Sequence, residues 1–378
     1  MMSADWTAIR RRLAVRRTAY RPPRGRRQVG HSSIVAPLAA TLVASVAVGI
    51  GVALAAAERA RRSTTTLRAR QRRFAQLPGE PLGEALQRMT LGQLDLAIEL
   101  LGDEGGGGRA LDREAIHETR KALKRLRALV RLLREELGEQ QYQREHAILR
   151  DAARRLTGAR DAEVMVTTLD ALLRRHPRKL GRRRPLIELR KLLVAERAAA
   201  EHKTLGDRAM RGEVLRELSG LRERAKRWSL PERPGIALVE LDLRRIYRDG
   251  RKRKRRVARG RGGAHATHAW RKRVKDLRYA AEILGQRPLA RRADRLAELL
   301  GEEHDLVVLI GLLPPAGRAP FKGKRGKRAR KALLKRIARR RRQLRKGALR
   351  EGERLYGRRP KKFLRRVRRT HARARLRN

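Results

Sequence analysis

The chain runs to 378 residues and carries 99 Lys+Arg against 39 Asp+Glu, a formal net charge of +60. Cysteine is absent, which excludes disulfides, thiolate metal sites and cysteine nucleophiles. Aromatic residues are only 3% of the chain against 40% hydrophobic residues overall, so the core must be Leu, Ala, Val and Ile, a composition that favours helices over sheets. A charge this large repels itself and costs the compact state stability. A counter-polyanion relieves that cost, and the candidates are nucleic acid, an anionic membrane and inorganic polyphosphate. The scarcity of stacking rings counts against single-stranded nucleic acid.

A basic segment, 1–33, precedes residues 34–57, which hold no charge and are long enough to cross a bilayer as a helix. This predicts a single-pass membrane protein; a buried core helix, a signal segment or a start codon set too early are the other readings. Arg24, Arg26 and Arg27 stand before the stretch and Arg59, Arg61 and Arg62 after it, so the positive-inside rule does not orient it. Residues 58–77 read as a polar linker.

From Pro81 the pattern is helical. Leu82, Leu86, Met89, Leu94 and Ile98 predict a helix to Leu101, and Gly105–Gly108 a break. Further helices are expected over 112–137 (with Asp112 as cap), 142–156 and 162–175, where His176-Pro177 stops the last. After Pro185 the spacing predicts helices at 186–204, 207–228 and 236–256, then 265–285, 288–300 and 303–312. The cluster Arg251–Arg256 reads as a solvated helix end and linker, although alone it resembles a nucleic-acid patch. Pro314-Pro315 and 317–328 read as a linker, and 328–378 as one long helix with a frayed basic end. No alternating strand pattern is present. The expected fold is all-α, built of helical bundles with short connections.

One feature repeats. His117-Glu-Thr-Arg120-Lys121-Ala-Leu-Lys124-Arg-Leu-Arg127 and His268-Ala-Trp-Arg271-Lys272-Arg-Val-Lys275-Asp-Leu-Arg278 both read H-x-x-R-K-x-x-K-x-L-R. Matching cations alone would be weak evidence in so basic a chain, but the paired histidines and Leu126/Leu277 make chance an unsatisfactory account. On a helix, His117, Arg120, Lys121, Lys124, Arg127 and Arg131 share a face beside the apolar stripe Leu123, Leu126, Val130, Leu133 and Leu137. His268, Arg271, Lys272, Lys275 and Arg278 do the same beside Val274, Leu277 and Leu284. Like charges at this spacing repel. Two readings stand: two such ladders face each other and line a channel for a linear polyanion, gripped by Arg forks and Lys point charges, or each is a solvated basic face. After each ladder comes a Gly-containing element, Leu156-Thr-Gly-Ala-Arg160-Asp161 and Leu300-Gly-Glu-Glu-His304-Asp305, with Asp161 and Asp305 expected as helix N-caps. Catalysis is not expected, because no Asp/Glu cluster has the spacing to hold Mg²⁺.

These residues resemble the CHAD family, the conserved histidine α-helical domain, over roughly residues 75–375. The resemblance implies two pseudo-symmetric helical bundles, about 78–180 and 184–375, around a basic cavity that binds inorganic polyphosphate, with no catalytic residues, no metal and no cofactor. It carries the binding role onto His117, Arg120, Lys121, Lys124 and Arg127, and onto His268, Arg271, Lys272, Lys275 and Arg278; Arg131 joins them by its place on the same helix face. Polyphosphate is the expected partner, and nucleic acid a secondary one through the basic C-terminus. With residues 34–57 as a membrane anchor the domain is expected on the cytoplasmic side; without it, in the cytoplasm with polyphosphate granules.

Overall fold

Leucine and alanine at intervals of three and four bury one stripe of each helix and leave arginines and lysines on the other. In the computed structural model, which describes residues 74–77, 79–102 and 113–375, this patterning gives a wholly helical unit within Arg73–Asn378. Among the described residues there is no strand. The helices are α1 (Leu82–Gly102), α2 (Arg113–Leu132), α3 (Arg134–Leu137), α4 (Glu139–Arg155), α5 (Gly158–Arg175), α6 (Arg184–Gly206), α7 (Arg208–Lys226), α8 (Glu240–Ala258), α9 (Gly263–Ile283), α10 (Arg287–Leu312), α11 (Gly323–Tyr356) and α12 (Pro360–Arg375). A π-helical turn, Pro177–Gly181, joins α5 to α6.

Local signals explain most boundaries. Proline stands in the first turn of α6, α10 and α12, where its missing N–H costs nothing. Asp207 caps α7 by accepting the Met210 N–H at 2.9 Å. Gly260 and Gly262 take positive φ, 68° and 83°, and turn the chain from α8 into α9; a side chain would be strained at either.

Two closed sets of neighbours emerge. In one, α1 packs on α2 and α7, and α4 packs on the same two. In the other, α9 packs on α8 and α10, and α11 packs on those same two. The α5–α6 hairpin leans on α10 and α11, and its leucines join a core with Leu306, Leu309, Phe321, Leu333 and Ile337. Helix α7 lies beyond residue 184 in the chain yet packs on α1 and α4, so the first set runs on to Lys226 before the second begins at Glu240.

Three expectations are corrected. Residues 287–312 form one helix, not two, so Asp305 sits mid-helix and caps nothing; Asp161 lies in the first turn of α5, whose N-cap is Thr157. The C-terminus is not frayed as far as Arg375: α12 buries Phe363, Leu364 and Val367, and Phe363 stacks on Tyr247 with ring centroids 3.9 Å apart. The single-pass membrane placement is withdrawn, because among the described residues no helix is long and apolar enough to cross a membrane. Residues 34–57, on which that placement rested, lie outside the described residues, as do Asp112 and Gly105–Gly108.

Candidate functional site

The two motif helices, α2 and α9, meet. Their contacts run in opposite directions along the chain, which makes them antiparallel. Arg131 is ion-paired with Asp276, and Arg125 stands 3.4 Å from Glu282. A neighbouring row follows the same sense with cation facing cation: Lys124 disfavours the charge of Lys275, and Arg127 that of Lys272. One row staples the helices together, and the adjacent row concentrates positive charge along the seam.

Four cations in or beside that second row have no ion-pair partner. Among the described residues, no carboxylate lies within ion-pair distance of Arg127, Arg271, Lys272 or Lys275, and the buried Nε atoms of Arg127 and Arg271 have no hydrogen-bond partner. Desolvation weakens the hold of each on its proton. It acts first on Arg127, then Arg131 adds to it. Burial also lowers Arg271, against the opposing fields of Asp305 and Asp161. Burial and Arg127 lower Lys272. Lys275 is pushed down to about 7, by burial first and then by Arg271 and Lys124.

Histidine lines the same region. His268 and His304 pack with ring centroids 4.1 Å apart and ring planes tilted by 33°. Burial, followed by Lys272 and Arg271, pushes His268 down to about 4; burial, followed by His268 and Arg271, pushes His304 down to about 3. Both are neutral at pH 7, and the buried Nδ1 of His268 has no partner.

The remaining motif residues sit elsewhere or serve the fold. Arg120 donates to the Leu156 and Thr157 carbonyls at 2.8 and 3.0 Å, closing the break between α4 and α5. Its repeat partner Arg271 instead lies against Gly301 in the unbroken α10. Lys121 is 3.3 Å from Glu118 within its own helix. Arg131 holds Asp276 and contacts His146 Nε2 at 2.7 Å. Arg278 pairs with Asp294 at 2.9 Å and covers Tyr279. The His117 side chain is 43% exposed and lies 4.0 Å from Glu118, whereas His268 packs on His304, so the two motif histidines have different neighbours. Lys124 is exposed at the seam.

Three groups outside the motif belong to the site. Arg273 stands 3.1 Å from the far oxygen of Asp276. Arg150 adds its field to Arg127, and to His146, which burial and Arg131 push down to about 3. None has a sequence signal of its own, because each reaches the seam from a position that the motif does not mark. Among the described residues, no three His, Asp or Glu side chains gather where they would hold a metal ion.

Among the described residues the fold is wholly helical, and its two repeated basic helices meet along a seam rich in cations. The model of the CHAD domain matches residues 93–314, which take in both motif helices and all the seam residues, and the chain belongs to that family. No curated protein matches the chain.

Proposed function

We propose that this protein binds inorganic polyphosphate, without catalysing a reaction on it, along the seam between α2 and α9. The observation that carries this reading is the set Arg127, Arg271, Lys272 and Lys275: three half-buried cations and the exposed Lys272, with no carboxylate at ion-pair distance among the described residues. Such a set is unfavourable in the empty protein and becomes favourable when a chain of phosphates neutralises it. Lys124 extends the row outward. Arg120, Arg131 and Arg278 act as positioning residues, holding helix ends and the α2–α9 contact in place. His117 and Lys121 belong to the outer rim of the ladder. The matching motifs further support two halves related by duplication, each contributing one helix to the seam.

The test is titration of long-chain polyphosphate into the protein and into a variant with Lys272→Glu and Lys275→Glu. The expected result is a loss of affinity of about a hundredfold or more for two reversed charges, with a steep fall in wild-type affinity as salt rises. Unchanged affinity in the variant refutes the reading. So does displacement of polyphosphate by duplex DNA at equal phosphate concentration, which would make the seam a general basic surface.

A further inference from the structure

A second cation-lined hollow, about 450 Å³ in volume, lies where the π-helical turn meets α11. The end of α5 and the turn supply Arg175, His176, Arg178 and Lys179, and α11 supplies Arg336 and Arg339. At its edge Glu302 accepts Arg340 at 2.6 Å and stands 3.8 Å from Arg175. The others have no such compensation: among the described residues no carboxylate is within ion-pair distance of Arg178, Lys179, Arg336 or Arg339. The cations converge on His176, whose charged form is disfavoured by burial first and then by Arg336, Arg175, Arg339 and Lys179. No Trp, Tyr or Phe lines the hollow.

This hollow is not part of the α2–α9 seam. Glu302, at its edge, and His304, at the seam, are two residues apart on α10, about 200° around the helix. Helix α11 also lies beyond the residues matched by the family model, so one wall comes from outside the matched span. The opposite wall is a single π-helical turn, a geometry that recurs at functional sites.

We propose that this hollow is a second anion site that takes the phosphoanhydride chain of a short linear oligophosphate, with Arg178, Lys179, Arg336 and Arg339 as its ligands. Two Arg forks on α11 face an Arg and a Lys on the turn, so phosphate oxygens are reached from both sides. A nucleotide offers the same phosphates, but no Trp, Tyr or Phe is present to stack its base, so a free oligophosphate gains about as much. The assignment stands independently of the reading of the seam.

The experiment is arginine modification by phenylglyoxal, read by mass spectrometry at Arg178, Arg336 and Arg339. It is run on the full chain and on the Lys272→Glu/Lys275→Glu variant, with tripolyphosphate or ATP added. At ten times the apparent dissociation constant, tripolyphosphate should slow modification at all three positions about tenfold in both proteins. ATP should protect no better than tripolyphosphate. Arg339→Glu and, separately, Lys179→Glu, both at exposed positions, should each weaken the protecting concentration about tenfold with the helical circular dichroism unchanged. Unslowed modification overturns the site. Protection lost in the seam variant overturns its independence, and markedly stronger protection by ATP overturns the oligophosphate assignment.

Discussion

Arg131 of α2 is ion-paired with Asp276 of α9, across 145 residues of chain, with both side chains nearly buried. The same carboxylate faces Arg273 at 3.1 Å, so one aspartate neutralises two arginines at the crossing of the motif helices. A residue that the motif marks as a ligand for phosphate is thereby engaged in holding the two ladders together.

Removing that carboxylate leaves Arg131 and Arg273 beside Arg127 and Lys272 with nothing to offset them. Asp276→Ala should destabilise the protein by about 3 kcal/mol, the cost of breaking a buried pair from one side. Thermal or urea unfolding checks it. Because the added repulsion is electrostatic, saturating polyphosphate should restore part of the loss.

Lys275 should show the opposite sign. Its ammonium sits among cations and is held near 7, so Lys275→Met removes an unfavourable charge while keeping a stem of similar length. The empty protein should gain about 1–3 kcal/mol, while polyphosphate affinity falls about tenfold. Urea unfolding and a binding titration on the same preparation test the pair of outcomes; a variant that loses both stability and affinity contradicts the account.

The pH dependence follows from the same burial. His268 and His304 have folded values of about 4 and about 3, below the ordinary 6.5, so the unfolded chain binds their protons first as pH falls. Their contribution to stability is full above 6.5 and is lost as pH drops through 4 to 3. Lys275 works at the other end: between about 7 and 10.5 the folded protein has shed a proton that the unfolded chain retains, so stability rises with pH across that window. Unfolding free energies at pH 7, 5.5 and 4 should fall in order, and a His268→Gln/His304→Gln variant should show a shallower fall. Polyphosphate reverses the local field, so its binding at pH 5 should take up protons, measurable as a buffer-dependent heat.

Gly352 couples α11 to the second motif helix. A Cβ there would stand 2.6 Å from the indole of Trp270, which is fully buried immediately before Arg271. Gly352→Ala should cost about 1–3 kcal/mol through overpacking. By shifting α9 it should also weaken polyphosphate binding, even though residue 352 lies outside the seam. Unfolding and affinity measured together distinguish this from a purely local clash, which would leave affinity unchanged.

Much of the fold was legible along the chain. Leucine periodicity marked nearly every helix to within a few residues, and Pro177, Pro185, Asp207 and the 259–262 turn marked breaks by local chemistry. The failures share one cause. The similarity of Leu156–Asp161 to Leu300–Asp305 suggested two helix starts, yet only the first is a break, where Arg120 takes the freed carbonyls. Whether a helix ends at such a point depends on which side chain arrives from another helix. Residues 360–375 looked like a tail because their charges outnumber their apolar groups; Phe363, Leu364 and Val367 are buried because α8 presents Tyr247 to them.

The amino-acid sequence by itself determined the helical class, the excess of positive charge and the two H-x-x-R-K-x-x-K-x-L-R ladders, because each is a matter of composition or of spacing within one helix. Tertiary structure decided which rungs of those ladders are available. The antiparallel crossing of α2 and α9 sets Arg131 on Asp276 and Arg125 near Glu282, while it brings Lys124 toward Lys275 and Arg127 toward Lys272. Pairing and burial depend on the partner helix, and a cation's own sequence neighbourhood carries no record of whether a carboxylate or another cation will stand opposite it.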